Sequence, residues 1–342
     1  MIPINEQVGA DIGNGFSTLI AGRGNSTKVV NFRSTYLKIT DEALANYKDS
    51  SGFYIVGEEA IKIGAPQRPS TDSNYYTSER FRILLCYGLQ QLGVKNPAVM
   101  IGLPVENFAE IKKRMRDHVR SYEKFNIGFT FNNIMFCEQP YGALCNPDYK
   151  IAGEPVSLMK ADLRLVLVDV GDGTTDARGF YKGRPLDQES VGRSYGVHEI
   201  HEEILRGLKE KHTIDSDTTT HDIDQCLRLN KEFVCRKGSK EVSLNLRELP
   251  SYKKGVQNLI SKVNTLVSDT WPSFNKIDYI VFAGGFLELV SIEEINKSGM
   301  YPESKCLVSE KPSIAIAQGL KTFLNILINQ KLKETKNEAS AQ

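Results

Sequence analysis

The chain has 342 residues, of which 40% are hydrophobic and 25% are charged, and it is long enough for two globular domains, each with its own core. Its 43 basic and 42 acidic residues leave a formal net charge of +1, which excludes a global field that would draw the protein to nucleic acid or to a membrane surface. The six cysteines are scattered without metal-site spacing, and no stretch approaches the roughly 18 consecutive apolar residues of a membrane span, so we expect a cytoplasmic protein with free thiols.

The first predicted element is a meander of three strands over residues 7–33. Its first strand carries an acid and runs into a glycine-rich turn, in the order Asp11, Ile12, Gly13, Asn14, Gly15 and Phe16. An Asn-Gly pair between two apolar strands predicts a two-residue hairpin of type I′, which needs positive φ at both central positions.

The remainder of the first half alternates strands and helices. The predicted elements are a strand at 53–56, a helix at 77–92 capped by Ser78, a buried strand at 98–103, a charged helix at 106–122, and strands at 127–131 and 134–137. Glu138 and Gln139 follow, and Pro140 is well placed for a first helical turn. The proline- and glycine-bearing stretch 146–160 is the expected domain boundary.

The second half opens with a pattern that repeats the first hairpin. An apolar run at 166–170 contains Asp169 and ends in Gly171, Asp172, Gly173, Thr174, Thr175 and Asp176. Later predicted elements are strands at 177–181 and 186–190, helices at 197–209 and 252–269, a hairpin at 233–246, a strand at 279–282, and a last helix from Ser313 to about Leu332 that Gly319 interrupts. His198 and His201 are better explained as solvated or capping residues than as metal ligands, because no third ligand accompanies them.

Two matched hairpins, one near the start of each half, predict a duplicated fold with a site between the halves. Glycine-rich turns allow backbone N–H groups to approach an anion closely, and the hydroxyls of Thr174 and Thr175 can add donors. Because a carboxylate repels a phosphate unless a cation lies between them, Asp11 and Asp169 imply a divalent metal, and Mg²⁺ fits. Neither turn is a Walker A loop or a dinucleotide-binding fingerprint.

The order of five short motifs resembles the actin/sugar-kinase/heat-shock-chaperone ATPase superfamily, and within it the bacterial actins of the ParM/StbA plasmid-segregation group. The motifs are the two hairpins, the segment Glu138-Gln139-Pro140, the turn Ala283-Gly284-Gly285 and the helix from Ser313 to Leu320. The resemblance implies a duplicated actin-like, ribonuclease H-like α/β fold, in which two domains with central mixed sheets and flanking helices enclose a nucleotide cleft. It implies domain I at 1–145 plus 313–342, and domain II at 146–312.

The resemblance also assigns roles to residues. Asp11 and Asp169 would hold Mg²⁺ through water and would act in catalysis together with Gln139, which orients the attacking water. Glu138 is the alternative, because the similar segment of the ParM group has a glutamate at that position. The implied nucleotide contacts are Gly13, Asn14, Gly15 and Phe16 in the first hairpin, Gly171, Asp172, Gly173, Thr174 and Thr175 in the second, and Gly284, Gly285 and Phe286 in the adenosine turn.

One position departs from the family pattern. A lysine often stands seven residues after the first aspartate, where it reaches the terminal phosphates, but this chain has Thr18 there. Lys or Arg from elsewhere, or Mg²⁺ alone, would then offset the phosphate charge. The resemblance also implies a ribose-contacting residue in a helix near residue 230, for which Lys231 and Glu232 are the candidates.

The function that the resemblance implies is a filament switched by Mg-ATP or Mg-GTP. It would segregate plasmid DNA through a ParR-like DNA-binding adaptor bound to a centromere-like site, with neither nucleic acid nor membrane contacted directly. The alternative is a small-molecule kinase of the same superfamily, for which no sugar-binding aspartate is evident. A chaperone ATPase would normally carry a further substrate domain, and a structural protein with plain turns is the non-enzymatic alternative.

Overall fold

Two five-stranded sheets frame the structure, a computed structural model that describes residues 3, 6–22, 26–65, 73–297 and 300–340, with the backbone alone at 73 and 335–340. The strands of these residues are β1 (Gln7–Ile12), β2 (Phe16–Ala21), β3 (Lys28–Arg33), β4 (Tyr36–Ile39), β5 (Tyr47–Asp49), β6 (Gly52–Val56), β7 (Ala98–Leu103), β8 (Asn133–Glu138), β9 (Lys150–Ile151), β10 (Glu154–Pro155), β11 (Arg164–Val170), β12 (Thr175–Tyr181), β13 (Arg184–Arg193), β14 (Phe233–Lys237), β15 (Lys240–Leu244), β16 (Tyr279–Ala283) and β17 (Cys306–Val308). The α-helices are α1 (Glu58–Lys62), α2 (Glu79–Leu92), α3 (Phe108–Arg120), α4 (Gln139–Cys145), α5 (His198–Lys211), α6 (Thr220–Arg228), α7 (Pro250–Thr270), α8 (Ile292–Asn296) and α9 (Pro312–Ser340).

The two large sheets have the same topology. The strand order is β3-β2-β1-β7-β8 in the first sheet and β13-β12-β11-β16-β17 in the second. In each, an antiparallel meander of three strands is extended by two strands that run parallel to its first strand. The predicted duplication, with a mixed sheet in each half, is therefore confirmed, while the domain boundaries at 145 and 313 stay a prediction.

The central strands β7 and β11 are buried almost along their whole length, which explains why they read as unbroken apolar runs rather than as alternating patterns. Helices cover the sheets, and α2 shows how the sequence sets their limits. The Ser78 hydroxyl accepts a hydrogen bond from the Phe81 amide at 3.2 Å, as predicted for an N-cap, and Gly93 ends the helix in the left-handed conformation.

Helices α4 and α9 lie between the two sheets and join them. Their side chains form one buried cluster with residues of both sheets, among them Met100 of β7, Leu167 of β11 and Leu320 of α9. Separate cores fill the outer side of each sheet. The shared cluster makes the contact between the halves a packed apolar interior and places the carboxyl ends of β1 and β11 near each other.

Three predictions about secondary structure and turn type are wrong. The segment 127–131 forms no strand, although Ile127 and Phe129 are buried, because Gly128 takes a positive φ of 81° and the chain runs over the core as a loop. Gly319 does not interrupt the last helix, which also continues beyond residue 332 as far as Ser340. The turns after β1 and β11 are not of type I′, since neither Asn14 nor Asp172 is among the described residues with positive φ.

Candidate functional site

The two glycine-rich turns face each other. The first turn, residues 13–15, joins β1 to β2, and the second turn, residues 171–174, joins β11 to β12. They approach so closely that a Cβ atom on Gly15 would lie 2.7 Å from the Cβ of Asp172. The sequence prediction that the two hairpins meet at one cleft therefore agrees with the structure.

The conformation of the turns comes from their surroundings. The Gly13 amide donates to the Phe16 carbonyl at 3.0 Å, and the Gly171 amide donates to the Thr174 carbonyl at 2.9 Å. The amides of Val197 and His198, at the start of α5, donate to the carbonyls of Gly171 and Asp172. These hydrogen bonds from α5 stabilise the second turn in a conformation other than type I′, the type that matches the twist of paired strands.

Three carboxylates lie behind the turns. Asp11 stands near the end of β1, Asp169 near the end of β11, and Asp176 directly opposite Asp169 on β12. Burial, together with the carboxylates of Asp11 and Asp176, raises the pKa of Asp169 well above its ordinary value. Burial raises the pKa of Asp176 to about 7, a rise that the Val105 amide limits by donating at 3.3 Å.

This concentration of buried acids fits a site for a divalent cation, whose charge would remove the repulsion. Among the described residues, no three histidine, cysteine or carboxylate side chains are arranged to hold a metal ion together. Mg²⁺ takes few protein carboxylates and retains several waters. The residues present therefore fit an ion held by Asp11 and Asp169 with waters and a phosphate, as the sequence predicts.

Gln139 and Glu138 are held differently. Gln139, in the first turn of α4, donates from Nε2 to Oδ1 of Asp11 at 2.8 Å, and this bond limits a burial-driven rise of the Asp11 pKa to about 6. Glu138 accepts from Arg178 at 2.6 Å, and its other oxygen, Oε2, is buried without a hydrogen-bond partner among the described residues. Gln139 is thus joined to the carboxylate cluster and Glu138 to an arginine of β12.

Several predicted nucleotide contacts are committed to other partners. The hydroxyl of Thr175 is fully buried and donates to the Tyr195 carbonyl at 2.9 Å. Phe286 is also buried and packs in the core of the second sheet, so its side chain does not reach the cleft. Gly284 lies against Asp169, and Gly285 lies against the guanidinium of Arg228.

A polar cavity of about 180 Å³ opens beside the two turns. It is lined by residues from both halves, including Asn14, Gly15, Arg33, Arg80, Asp172, His198, His201, His221 and Asp224. Arg33 of β3 forms a buried ion pair with Asp224 of α6, which joins the two sides of the cleft. Lys231 and Glu232 are exposed and are not among the residues that line the cavity.

Of the two α5 histidines that the sequence predicts to be solvated or capping, His198 is half-buried and His201 is buried. His201 is buried, with Nε2 3.0 Å from Oδ1 of Asp224, and burial together with the nearby cations Arg228 and Arg33 keeps its pKa well below the ordinary value. Nδ1 of His198 lies 2.8 Å from the Asp172 carbonyl oxygen. Both residues thus support the walls of the cleft.

Sequence reasoning left four residues of this region without a role. Asp176 could have been found, because it follows Asp169 by seven residues as Thr18 follows Asp11. Arg33, Arg80 and Asp224 carry no local motif. Their contribution depends on tertiary contacts, such as the pairing of Arg33 with a residue 191 positions away.

The chain is similar to a known protein family in sequence over its N-terminal part and to solved structures over nearly its whole length. Residues 9–142 match the family model for the N-terminal domain of actin-like proteins. No curated protein matches the chain in sequence. In the described residues, none of the helices has the length and apolar character that crossing a membrane requires.

Solved structures match over nearly the whole chain. A ParM filament of 15 strands from Clostridium botulinum has a TM-score of 0.70 at 21% identity, covering 93% of this chain and 98% of that chain. A non-polymerisable quadruple mutant of pCBH ParM has a TM-score of 0.70 at 20% identity, with 92% and 98% covered. MreB 5 of Spiroplasma citri, bound to AMPPNP, has a TM-score of 0.68 at 15% identity, with 96% and 98% covered. The chain therefore has the actin-like fold of the ParM structures, and its residues 9–142 match the family model of the actin-like protein N-terminal domain.

Proposed function

We propose that this chain is a nucleotide-dependent, filament-forming actin-like ATPase. The observation that carries the proposal is the pair of facing turns, each preceded by a buried or partly buried carboxylate, Asp11 on one side and Asp169 on the other. An acidic site between two glycine-rich turns suits a phosphate chain with its divalent cation better than it suits a neutral ligand. The bound AMPPNP of the Spiroplasma citri structure supports the same ligand class.

The chemistry needs positioning and charge neutralisation more than covalent participation by the protein. When bound, Mg²⁺ would neutralise charge on the β- and γ-phosphates of ATP or GTP. Asp11 and Asp169 would hold the ion, largely through waters. The backbone amides of the two turns orient the phosphates.

Gln139 is the residue that we assign to the attacking water. Its side chain already lies on Asp11, so it is at the carboxylate cluster rather than at the edge of the cleft. Glu138 remains the alternative, since its Oε2 has no partner among the described residues, but its other oxygen is held by Arg178. An amide can accept from and donate to a water at once, which suits orientation without proton transfer.

The filament is the second part of the proposal. One matched structure is itself a ParM filament, and head-to-tail contacts between identical subunits propagate into an open helical polymer. Such a filament would move plasmid DNA in the cytoplasm through a ParR-like adaptor. The formal net charge of +1 agrees with DNA being reached through a partner.

The test combines sedimentation with phosphate release. We expect the protein to pellet with Mg-ATP or Mg-GTP but not without nucleotide, and to release phosphate as it does so. Asp169→Ala should abolish both while leaving the thermal unfolding midpoint close to that of the wild type. Gln139→Ala should still pellet but should release phosphate about 100-fold more slowly, because a positioned water is lost.

Two results would count against the proposal. A protein that stays soluble at high concentration both with and without nucleotide would rule out a nucleotide-dependent filament. An Asp169→Ala variant that loses its fold together with its activity would reduce Asp169 to a structural turn residue. Equal activity of Gln139→Ala and the wild type, with loss in Glu138→Gln, would move the water-orienting role to Glu138.

A further inference from the structure

The phosphate site needs a cation that the first hairpin does not supply. Thr18 faces Asp11 across β1 and β2, is almost fully buried, and donates from its hydroxyl to Asn31 at 3.1 Å. Its counterpart in the second hairpin, Asp176, is an acid. A triphosphate between these hairpins would meet carboxylates on both sides, so any protein cation that acts beside Mg²⁺ must come from another element.

Arg33 is placed to supply it. This residue ends β3 directly opposite Phe16, and the amide of the next residue, Ser34, donates to the Gly15 carbonyl at 3.0 Å. Its guanidinium lies 4.0 Å from the centre of the Phe16 ring and lines the cavity beside Gly15 and Asp172. The side chain is therefore fixed at the edge of both turns by stacking as well as by its backbone.

Arg33 shares one of its carboxylate partners with a second arginine. It shares the carboxylate of Asp224 with Arg228, whose guanidinium lies 4.8 Å from the same Phe16 ring. Its Nε is buried without a hydrogen-bond partner in the described part of the chain and forms a long ion pair, at 3.7 Å, with Oε1 of Glu58. Burial and the like charge of Arg228 lower the pKa of Arg33 to about 10.

The other two arginines that lie near the turns, Arg80 and Arg228, are bound to different partners. Arg80 donates to the carbonyls of Asn14 and Ser34 and so supports the backbone of the first turn. Arg228 pairs with Glu288 at 2.9 Å in addition to Asp224 and lies against Gly285. Of the three, Arg33 is the one that lines the cavity beside both turns and also has a buried N–H, its Nε, without a hydrogen-bond partner among the described residues.

We propose that Arg33 is the phosphate-binding cation of this chain, with its guanidinium moving its charge from Asp224 toward the phosphate chain of a bound nucleotide. The inference rests on the proposed nucleotide site. In the absence of nucleotide, the ion pair with Asp224 then keeps the Arg33 side chain beside the phosphate site. A guanidinium presents several donors in a plane, which matches phosphate oxygens better than a hydroxyl does.

The experiment compares ligands that differ only in their number of phosphates. Isothermal titration with Mg-ATP, Mg-ADP and AMP would be performed on the full chain and on Arg33→Gln. We expect the variant to lose about 10- to 100-fold in affinity for Mg-ATP, less for Mg-ADP and little for AMP, because a charged hydrogen bond to phosphate is removed. Arg33→Lys should retain part of the graded preference.

Asp224→Asn is the matched control, because it breaks the same ion pair from the other side. A loss for Asp224→Asn that does not depend on the phosphate number, beside a graded loss for Arg33→Gln, supports the proposal. An identical graded loss in both variants would mean that Arg33 acts only through the ion pair, and a uniform loss in Arg33→Gln would mean a structural role. Absence of nucleotide binding by the wild-type chain would instead overturn the proposed function itself.

Discussion

Asp176 is a buried acid whose surroundings favour its protonated form. It is 2% exposed, and the carboxylates of Glu106 and Glu138 add to the effect of burial on its pKa. The Val105 amide is a donor to this group, and an asparagine Oδ1 could accept the same hydrogen bond. The charge can therefore be removed with little change in shape.

This environment predicts how stability depends on pH. The folded-state pKa of about 7 lies above the ordinary value of 3.8, so the folded protein binds more protons than the unfolded chain between these values. The contribution of Asp176 is fully favourable below about pH 4 and is lost as the pH rises through 7. We expect Asp176→Asn to be more stable than the wild type at pH 8, by up to about 4 kcal/mol, and to approach it at pH 4.

Urea unfolding of the nucleotide-free proteins at pH 4, 6 and 8 would measure this difference. Asp217→Asn, at an exposed position, serves as the control and should show no gap that grows with pH. A stability difference between Asp176→Asn and the wild type that is constant over this range would show that the carboxyl group does not titrate there.

Local sequence was sufficient for some residues of the site and insufficient for others. Asp11, Asp169 and Gln139 stand in short motifs at the carboxyl ends of β1, β11 and β8, and the structure brings these strand ends to one cleft. The pairing of Arg33 with Asp224 joins residues far apart in the chain, so no window of sequence contains it. The roles of all these residues in ligand binding stay predictions until binding is measured.

At the scale of elements, the crossing of α4 and α9 depends on two glycines. A Cβ on Gly319 would collide with the carbonyl of Gly142 and would lie 2.8 Å from the Asn146 amide. The two helix backbones therefore approach more closely than a side chain would allow. This explains why a residue that usually weakens a helix interior stands in the middle of α9.

Replacing Gly319 with alanine should separate these helices. Helix propensity alone predicts a gain of about 1 kcal/mol from Gly319→Ala, whereas the collision predicts a loss of roughly 1–3 kcal/mol, so the two effects differ in sign. We expect the loss, measured by urea unfolding. Gln330→Ala, on an exposed position of the same helix, should change stability by less than about 0.5 kcal/mol. A stabilised Gly319→Ala variant would show that α4 can move aside.

Elements with a strong apolar period were predictable, and those whose form depends on packing were not. The two meanders and the cap of α2 follow from strand runs and from Ser78. The segment 127–131 has strand-like composition because its side chains fill a core, which a loop can do as well. The continuity of α9 through Gly319 depends on α4, a neighbour that periodicity does not reveal.

At the scale of the whole molecule, the halves share an interior and are joined by polar contacts across the cleft. The cluster around α4 and α9 contains side chains from both sheets. The pairs Glu138–Arg178 and Arg33–Asp224 connect the same two halves near the site. We therefore expect the chain to unfold as one cooperative unit, in spite of its duplicated architecture.

The single tryptophan makes this testable. Trp271 is buried in the core of the second sheet, and its indole N–H donates to Glu189 at 2.6 Å, so its fluorescence reports on that half only. Far-ultraviolet circular dichroism reports on both halves. We expect both signals to share one midpoint in urea, and we expect Leu320→Ala, within the shared cluster, to shift both together by about 2–4 kcal/mol. Separate midpoints would show that the halves unfold independently.

The contact between Gly15 and Asp172 also bears on rates. Because the two turns touch, they have to part before a triphosphate can pass between them. Association would then begin with a first-order opening step, and its observed rate would level off at high ligand concentration instead of rising without limit. The turns must separate in the same way before a bound nucleotide dissociates, so one motion of the two halves would set the rate of nucleotide exchange.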